Sequence, residues 1–136
     1  MNNFNQAIIA DFRAHGGKVT MDPFVGAPVL LLTTTGAKSG QPRTSPLVYA
    51  RDGDRYVIFA SKGGAPTNPD WYHNLVAHPT VTVEVGAEKF QATATVPDGA
   101  ERDRLFDAQA RAMPGFAEYQ KNTTRRIPVM VLERTG

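Results

Sequence analysis

The chain has 136 residues and no cysteine, with 15 Lys and Arg against 13 Asp and Glu for a net charge of +2. That length suffices for one domain with its own core, and the missing cysteine excludes disulfides, thiolate catalysis and cysteine-ligated zinc or iron–sulfur sites, which suits a cytoplasmic protein. The small basic excess marks no nucleic-acid-binding surface, so anionic small molecules are the expected partners.

In chain order, Phe4, Ile8, Ile9 and Phe12 share one face of a short N-terminal helix. Packing on the core is its expected use, with a peripheral membrane contact as the other. The segment has neither the apolar h-region nor the cleavage site of a signal peptide, and no apolar run in the chain is long enough to span a bilayer. Residues 15–26, with Gly16, Gly17, Pro23 and Gly26, form an irregular connection, so residues 1–26 precede a main body over 27–136. Residues 29–34 and 44–51 read as paired strands, and the Asp52-Gly53 turn leads into a third strand over 55–60. Residues 61–69, SKGGAPTNP, make a Gly-rich loop, after which Asn68 as N-cap and Pro69 at the first position open a helix through Ala77.

His78-Pro79 ends that helix, and two alternating runs, 80–85 and 89–96, form a hairpin around Gly86. Asp98 caps a further helix with Glu101 at its third position and Leu105, Phe106, Ala108 and Met113 on its inner side. Pro114-Gly115 breaks it before a short helical segment with Phe116 and Tyr119. Residues 127–133, IPVMVLE, are apolar enough for a central strand. Six antiparallel strands with helices inserted at the connections do not fit a doubly wound sheet. They fit a mainly β (α+β) fold, a six-stranded antiparallel barrel with peripheral helices, in which closure removes exposed edges.

Several chemistries fail on spacing. There is no P-loop and no GxGxxG. Ser39 lacks the glycine that a nucleophile elbow needs two positions earlier. His73 and His78 lie five apart across a helix end and do not share a face for a metal, so no metal is expected. What remains is two Gly-rich loops, 34–43 and 60–64, each holding a lysine, beside a helix that begins near Trp71. In the first, positive φ at Gly36 and Gly40 would let amides converge on an anion, with Lys38 and Arg43 supplying charge. In the second, a planar ring could rest on the backbone of residues 61–64, while Trp71 packs in the core or against the ligand.

The runs LLLTTTGAKSGQPR, SPL, FASKGGAPTNPDWYHNL, HP and TTRRIPVMVLER closely resemble the deazaflavin-dependent nitroreductase family, from about Ala27 to the C-terminus. The resemblance implies a split β-barrel of the kind found in FMN-binding flavin reductases, and coenzyme F-420, an 8-hydroxy-5-deazaflavin with a phosphate and an oligoglutamate tail. It assigns Lys38 and Arg43 to the phosphate, with Gly36, Ser39 and Gln41 shaping that loop and Pro46 and Leu47 following beneath the ring. It assigns Ala60, Ser61, Lys62, Gly63 and Gly64 to the deazaflavin, with Asn68, Pro69 and Trp71 completing the wall.

The activity so implied is hydride transfer to a quinone, an enone or a nitroaromatic, with Tyr119 or Ser61 donating a hydrogen bond to the developing anion. The nitro-reducing members carry several tyrosines over the substrate pocket. This chain keeps Tyr119 beside Met113 and Phe116, which favours a greasy quinone over a nitroimidazole. The alternatives are an FMN- or FAD-dependent reductase of the same fold, a non-catalytic deazaflavin or quinone carrier, and a barrel with no ligand. Homodimerisation is left open.

Overall fold

The computed structural model describes residues 3–135 except Pro23 and Pro66. Helix α1 (Asn3–Ala14) is followed by strands β1 (Val29–Thr35), β2 (Pro42–Asp52) and β3 (Arg55–Phe59), and a single 3-10 turn (Lys62–Gly64) then leads to α2 (Asp70–Ala77). Strands β4 (Thr80–Val85) and β5 (Glu88–Thr95), helices α3 (Gly99–Ala112) and α4 (Gly115–Lys121) and strand β6 (Val129–Arg134) complete the order. The strands close into an antiparallel barrel in the order β1-β2-β3-β6-β5-β4. The first and last of these pair through Leu31↔Glu84, Leu32↔Val83 and Thr33↔Thr82.

The continuous apolar runs of β1 and β6 arise because both faces are covered. Leu30, Leu32, Met130 and Leu132 fill the barrel with Ile58, Val83 and Phe90. On the outside, Val29 and Leu31 pack with Ile8 and Phe12 of α1, while Val129 and Val131 pack with Phe59, Phe106 and Phe116 beside α3 and α4. A strand buried on one side only would alternate, as β5 does.

Helix α1 therefore uses its apolar stripe on the barrel wall, where a forked ion pair from Arg13 to Glu84, 2.8 and 3.1 Å, ties it to β4. The Phe4 side chain lies outside the described residues. Among those that are described, no helix is long and apolar enough to cross a membrane.

Two local expectations on α3 are corrected, the inward position of Ala108 and the capping bond of Asp98, whereas Asp98 does stand at the N-cap and Glu101 at the third helical position. On α3 the buried residues are Arg102, Leu105, Phe106 and Gln109, whereas Ala108 is exposed. Arg102 is held inside because it donates to Ile127 O at 2.8 and 3.1 Å and to Gln120 Oε1 at 2.9 Å, and a buried guanidinium needs such acceptors. Asp98 occupies the N-cap of α3 but makes no capping bond. Glu101 turns outward to Arg104, at 2.6 Å.

Asp52, the last residue of β2, pairs with Arg55 and Arg104, which hold its carboxyl near a pKa of about 2, against an ordinary 3.8. Because the folded value is depressed, the stabilisation is present above the ordinary value and disappears as pH falls through about 2. Asp52→Asn should lower the Tm by roughly 2 °C near neutral pH, a small shift because the group is solvent-exposed. The difference between the two proteins should vanish in thermal scans carried into that acid window.

Candidate functional site

The loop between β1 and β2 is closed by its own backbone and side-chain bonds. Gly36 N–H donates to Gln41 O at 2.8 Å, Gly40 N–H to Gly36 O at 2.9 Å and Gln41 N–H to the Ser39 hydroxyl at 3.2 Å. These bonds leave the Lys38 and Ser39 amides without a protein acceptor among the described residues. Gly40 takes φ +70, but Gly36 does not take a positive φ. Gly36 gives clearance instead: a Cβ there would run into the Ser39 hydroxyl and stand 3.2 Å from Gln41 O. Lys38 and Arg43 have no carboxylate partner among the described residues, so their charges remain available.

This loop forms one wall of a cleft of about 820 Å³, lined by Gly36, Ala37, Lys38, Ser39, Arg43, Thr44 and Ser45 on the strand side. Helix α2 gives Asp70, Trp71, His73 and Asn74, and α1 gives Asn5. Trp71 lies in the barrel cluster at 9% exposure and also lines the cleft. Pro46 and Leu47 are not among the lining residues. Leu47 pairs with Leu30 and packs against the barrel interior, whereas Pro46 pairs with Leu31 on the α1 side, so alternation puts the two on opposite faces.

Asn74 is the buried support of the cradle. Its Nδ2 donates to Thr34 Oγ1 at 3.2 Å, and its Oδ1 accepts from Ala37 N–H at 2.9 Å. Removing it strands a hydroxyl and an amide together. Asn74→Ala should cost about 1–3 kcal/mol of stability in denaturant titrations and weaken anion binding at this loop severalfold. Retention of both wild-type values would show that the contact carries no load.

The second loop, residues 60–64, precedes α2 in the chain and, among the described residues, gives no side of the cleft. Ala60 is fully buried and Ser61 half-buried, while Lys62 is exposed. Lys62 has φ +48, a left-handed conformation in a residue with a side chain. Such strain marks positions that the surroundings over-determine. Gly64, at φ +82, sits so close to α4 that a Cβ would be 2.8 Å from Tyr119 O.

Arg125 holds the loop from behind. Its Nε donates to Ala65 O at 2.8 Å, Nη1 to Ala60 O at 3.0 Å and Asn68 Oδ1 at 2.7 Å, and Nη2 to Ser61 O at 2.7 Å. Asn68 is therefore not the N-cap of α2. Pro69 holds that position, and no side chain bonds the first amides. Burial pushes the Arg125 guanidinium below its ordinary pKa, yet an arginine remains charged.

Tyr119 packs edge-on against Phe116, 5.3 Å between centroids. Phe116 is buried against Phe59, so it supports the α4 surface more than it lines one. Met113 is half-buried and accepts a weak bond from Gln109 Nε2 at 3.3 Å.

Sequence reasoning missed Asn5, Thr44, Ser45, Asp70, His73, Asn74 and Arg125. The spacing of Asp70, His73 and Asn74 gives a helical signal, since they share one face. Arg125 lies within the TTRRIPVMVLER run that carries the resemblance, although nothing local gives it a role, and no such signal marks Asn5. Among the described residues no group of three His, Asp or Glu side chains forms a metal site.

A closed six-stranded antiparallel barrel with peripheral helices, and a cleft between the β1–β2 loop and α2, is the architecture of the split-barrel class. The profile of the F-420H(2)-dependent quinone reductases matches residues 6–134. An F-420H(2)-dependent quinone reductase of Mycobacterium tuberculosis is 45% identical over 128 residues, covering 92% of this chain and 86% of the relative. A second from that organism, named a putative one, is 35% identical over 105 residues, 77% and 88% of the two chains.

Among solved structures, one described as an F-420-H2 dependent reductase superposes with TM-score 0.72 at 44% identity, covering 78% of this chain and 94% of that one. Another, described as a domain-swapped dimer, gives 0.74 at 39%, covering 94% and 93%. The chain belongs to the F-420H(2)-dependent quinone reductase family, and with it to the oxidoreductases that depend on coenzyme F-420.

Proposed function

We propose that this protein reduces a quinone with reduced coenzyme F-420, holding the phosphate at residues 36–43 and the ring against residues 60–64. The observation that carries this reading is the pair Lys38, on the β1–β2 loop, and Arg43, at the start of β2, which have no carboxylate partner among the described residues, beside Lys38 and Ser39 amides that meet no protein acceptor there. The residues present fit the coenzyme: the cradle suits its phosphate, and the second loop offers backbone instead of side chains to a flat ring.

When bound, the reduced deazaflavin supplies the hydride. The chain's own residues hold its phosphate, present the ring and surround the acceptor with the apolar surface of α4. As hydride adds to a quinone, one acceptor oxygen becomes anionic and must gain a proton to give the hydroquinone. Tyr119 and Ser61 hydroxyls are the donors we assign to that oxygen. Met113 and Tyr119 face it in this reading, with Phe116 as their support. Enones and activated nitroaromatics are secondary acceptors of the same electrophilic kind. The relative described as a domain-swapped dimer supports a homodimer for this chain as well.

Titration with coenzyme F-420, FMN and FAD, followed by oxidation of the preferred reduced coenzyme with menadione, tests the proposal. Tight F-420 binding with menadione-dependent oxidation is expected. Preference for FMN, or binding without turnover of any acceptor, would favour a flavin enzyme or a carrier instead. Tyr119→Phe should lower kcat for menadione about tenfold with little change in coenzyme affinity, an effect of the size general acid–base or hydrogen-bond donors supply. Unchanged turnover of every quinone tested would remove Tyr119 from this role.

A further inference from the structure

The guanidinium of Arg125, within the TTRRIPVMVLER run, is bonded strongly to the loop over 60–65 and does not line the cleft. It spends its donors on four neutral oxygens, from Ala60, Ser61, Ala65 and the Asn68 side chain, and it has no carboxylate partner among the described residues. Its own main chain is anchored. Gln120 Nε2 donates to Arg125 O at 2.8 Å, and Gln120 Oε1 accepts from Ile127 N–H at 3.0 Å and from Arg102 at 2.9 Å. A chain of bonds thus runs from buried Arg102 through α4 to the loop.

The consequence follows from peptide planarity. A carbonyl and the N–H of the next residue point in opposite directions. With Ala60 O and Ser61 O turned to Arg125, the amides of Ser61 and Lys62 are turned to the other side of the loop, and neither meets a protein acceptor among the described residues. The left-handed turn at Lys62, φ +48, is closed by Gly64 N–H to Ser61 O at 2.9 Å and Ala65 N–H to Lys62 O at 3.2 Å, and the fork bonds Ser61 O and Ala65 O as well. A lysine offers a point charge where this site requires a planar set of diverging donors, so the two basic residues are not equivalent here.

We infer that Arg125 is a positioning residue for the coenzyme ring: it fixes residues 60–68 so that the Ser61 and Lys62 peptide groups face the ring with their N–H donors. The inference rests on the reading of this loop as the ring site. It predicts that Arg125 governs the ring end of the coenzyme and not the phosphate end.

The test uses the whole chain with two probes, coenzyme F-420 and the phosphate-free 8-hydroxy-5-deazaflavin nucleoside analogue, titrated by fluorescence. Arg125→Lys should weaken both about tenfold and by the same factor, with the Tm largely kept. Arg125→Gln should weaken both further and raise the pH at which the bound chromophore ionises, because a fixed cation beside an acidic ring is lost. Lys38→Ala should weaken only the phosphorylated probe. Unchanged affinity of Arg125→Lys for the phosphate-free probe, or a loss confined to the phosphorylated one, overturns the inference. Ser61→Trp separates the two levels of the argument. If it leaves phosphate-free binding intact, the ring loop itself is misplaced. If it abolishes binding that Arg125→Lys preserves, only the role of Arg125 falls.

Discussion

Replacing Lys38 and Arg43 together by alanine should weaken coenzyme F-420 binding about a hundredfold while leaving the phosphate-free deazaflavin unaffected. Charge-assisted bonds to an anion are worth about 1.5–3 kcal/mol each in well-formed sites. Both side chains are exposed, so solvent screening reduces each to roughly tenfold. Their effects should add because each meets the phosphate from its own stem. The Gly36 cradle and the free Lys38 and Ser39 amides would persist in the double variant, which keeps residual binding above zero. Wild-type affinity should fall with rising salt, and the variant should lose most of that dependence. A dissociation constant within threefold of wild type would mean that the phosphate sits elsewhere. Asp70 lines the same cleft, so Asp70→Asn is expected to tighten binding slightly by removing a like charge.

Gly64→Ala should be the most damaging single methyl group in the ring loop. The residue is at φ +82, and its new Cβ would lie 2.8 Å from Tyr119 O and 3.2 Å from Tyr119 Cα. Both are backbone atoms of α4 and cannot rotate aside. The left-handed conformation costs an alanine about 1 kcal/mol, and the overlap adds strain of about 1–3 kcal/mol. A Tm lower by roughly 10 °C is expected for a chain of this size. Relief would come by moving the loop away from α4, so coenzyme affinity should drop along with stability. If the Tm stays within about 2 °C of wild type and binding is unaffected, the loop and helix are not in firm contact.

The comparison of Gly36 with Gly64 shows how far a glycine can be interpreted before a structure is available. Both sit in loops that the sequence marks by composition. Positive φ was expected at Gly36 and Gly40, yet it occurs at Gly40 while Gly36 is needed for clearance from Ser39 and Gln41. Clearance depends on what another part of the loop does, and no spacing rule encodes it. Asn68 is a parallel case. An Asn before Pro-Asp reads as an N-cap because its oxygen commonly takes the first helix amides. Here Arg125, 57 residues away, takes that oxygen at 2.7 Å, and a charged donor outcompetes a neutral amide.

What the sequence by itself determined was local and periodic. The strands followed from apolar runs and alternation, the hairpins from Gly53 and Gly86, the helix ends from Pro79 and Pro114, and the two glycine-rich loops from motifs whose order marks the family. These depend on residues within a few positions of one another, so their physics is complete in the chain. Tertiary structure decided the rest. Closure of β1 on β4 placed α1 and Asn5 beside the β1–β2 loop, burial selected Arg102 and Gln109 over Ala108 on α3, and Arg125 reached back across 65 residues to Ala60. Such contacts pair groups remote in sequence, and each residue's use depends on which partner the folded chain delivers to it.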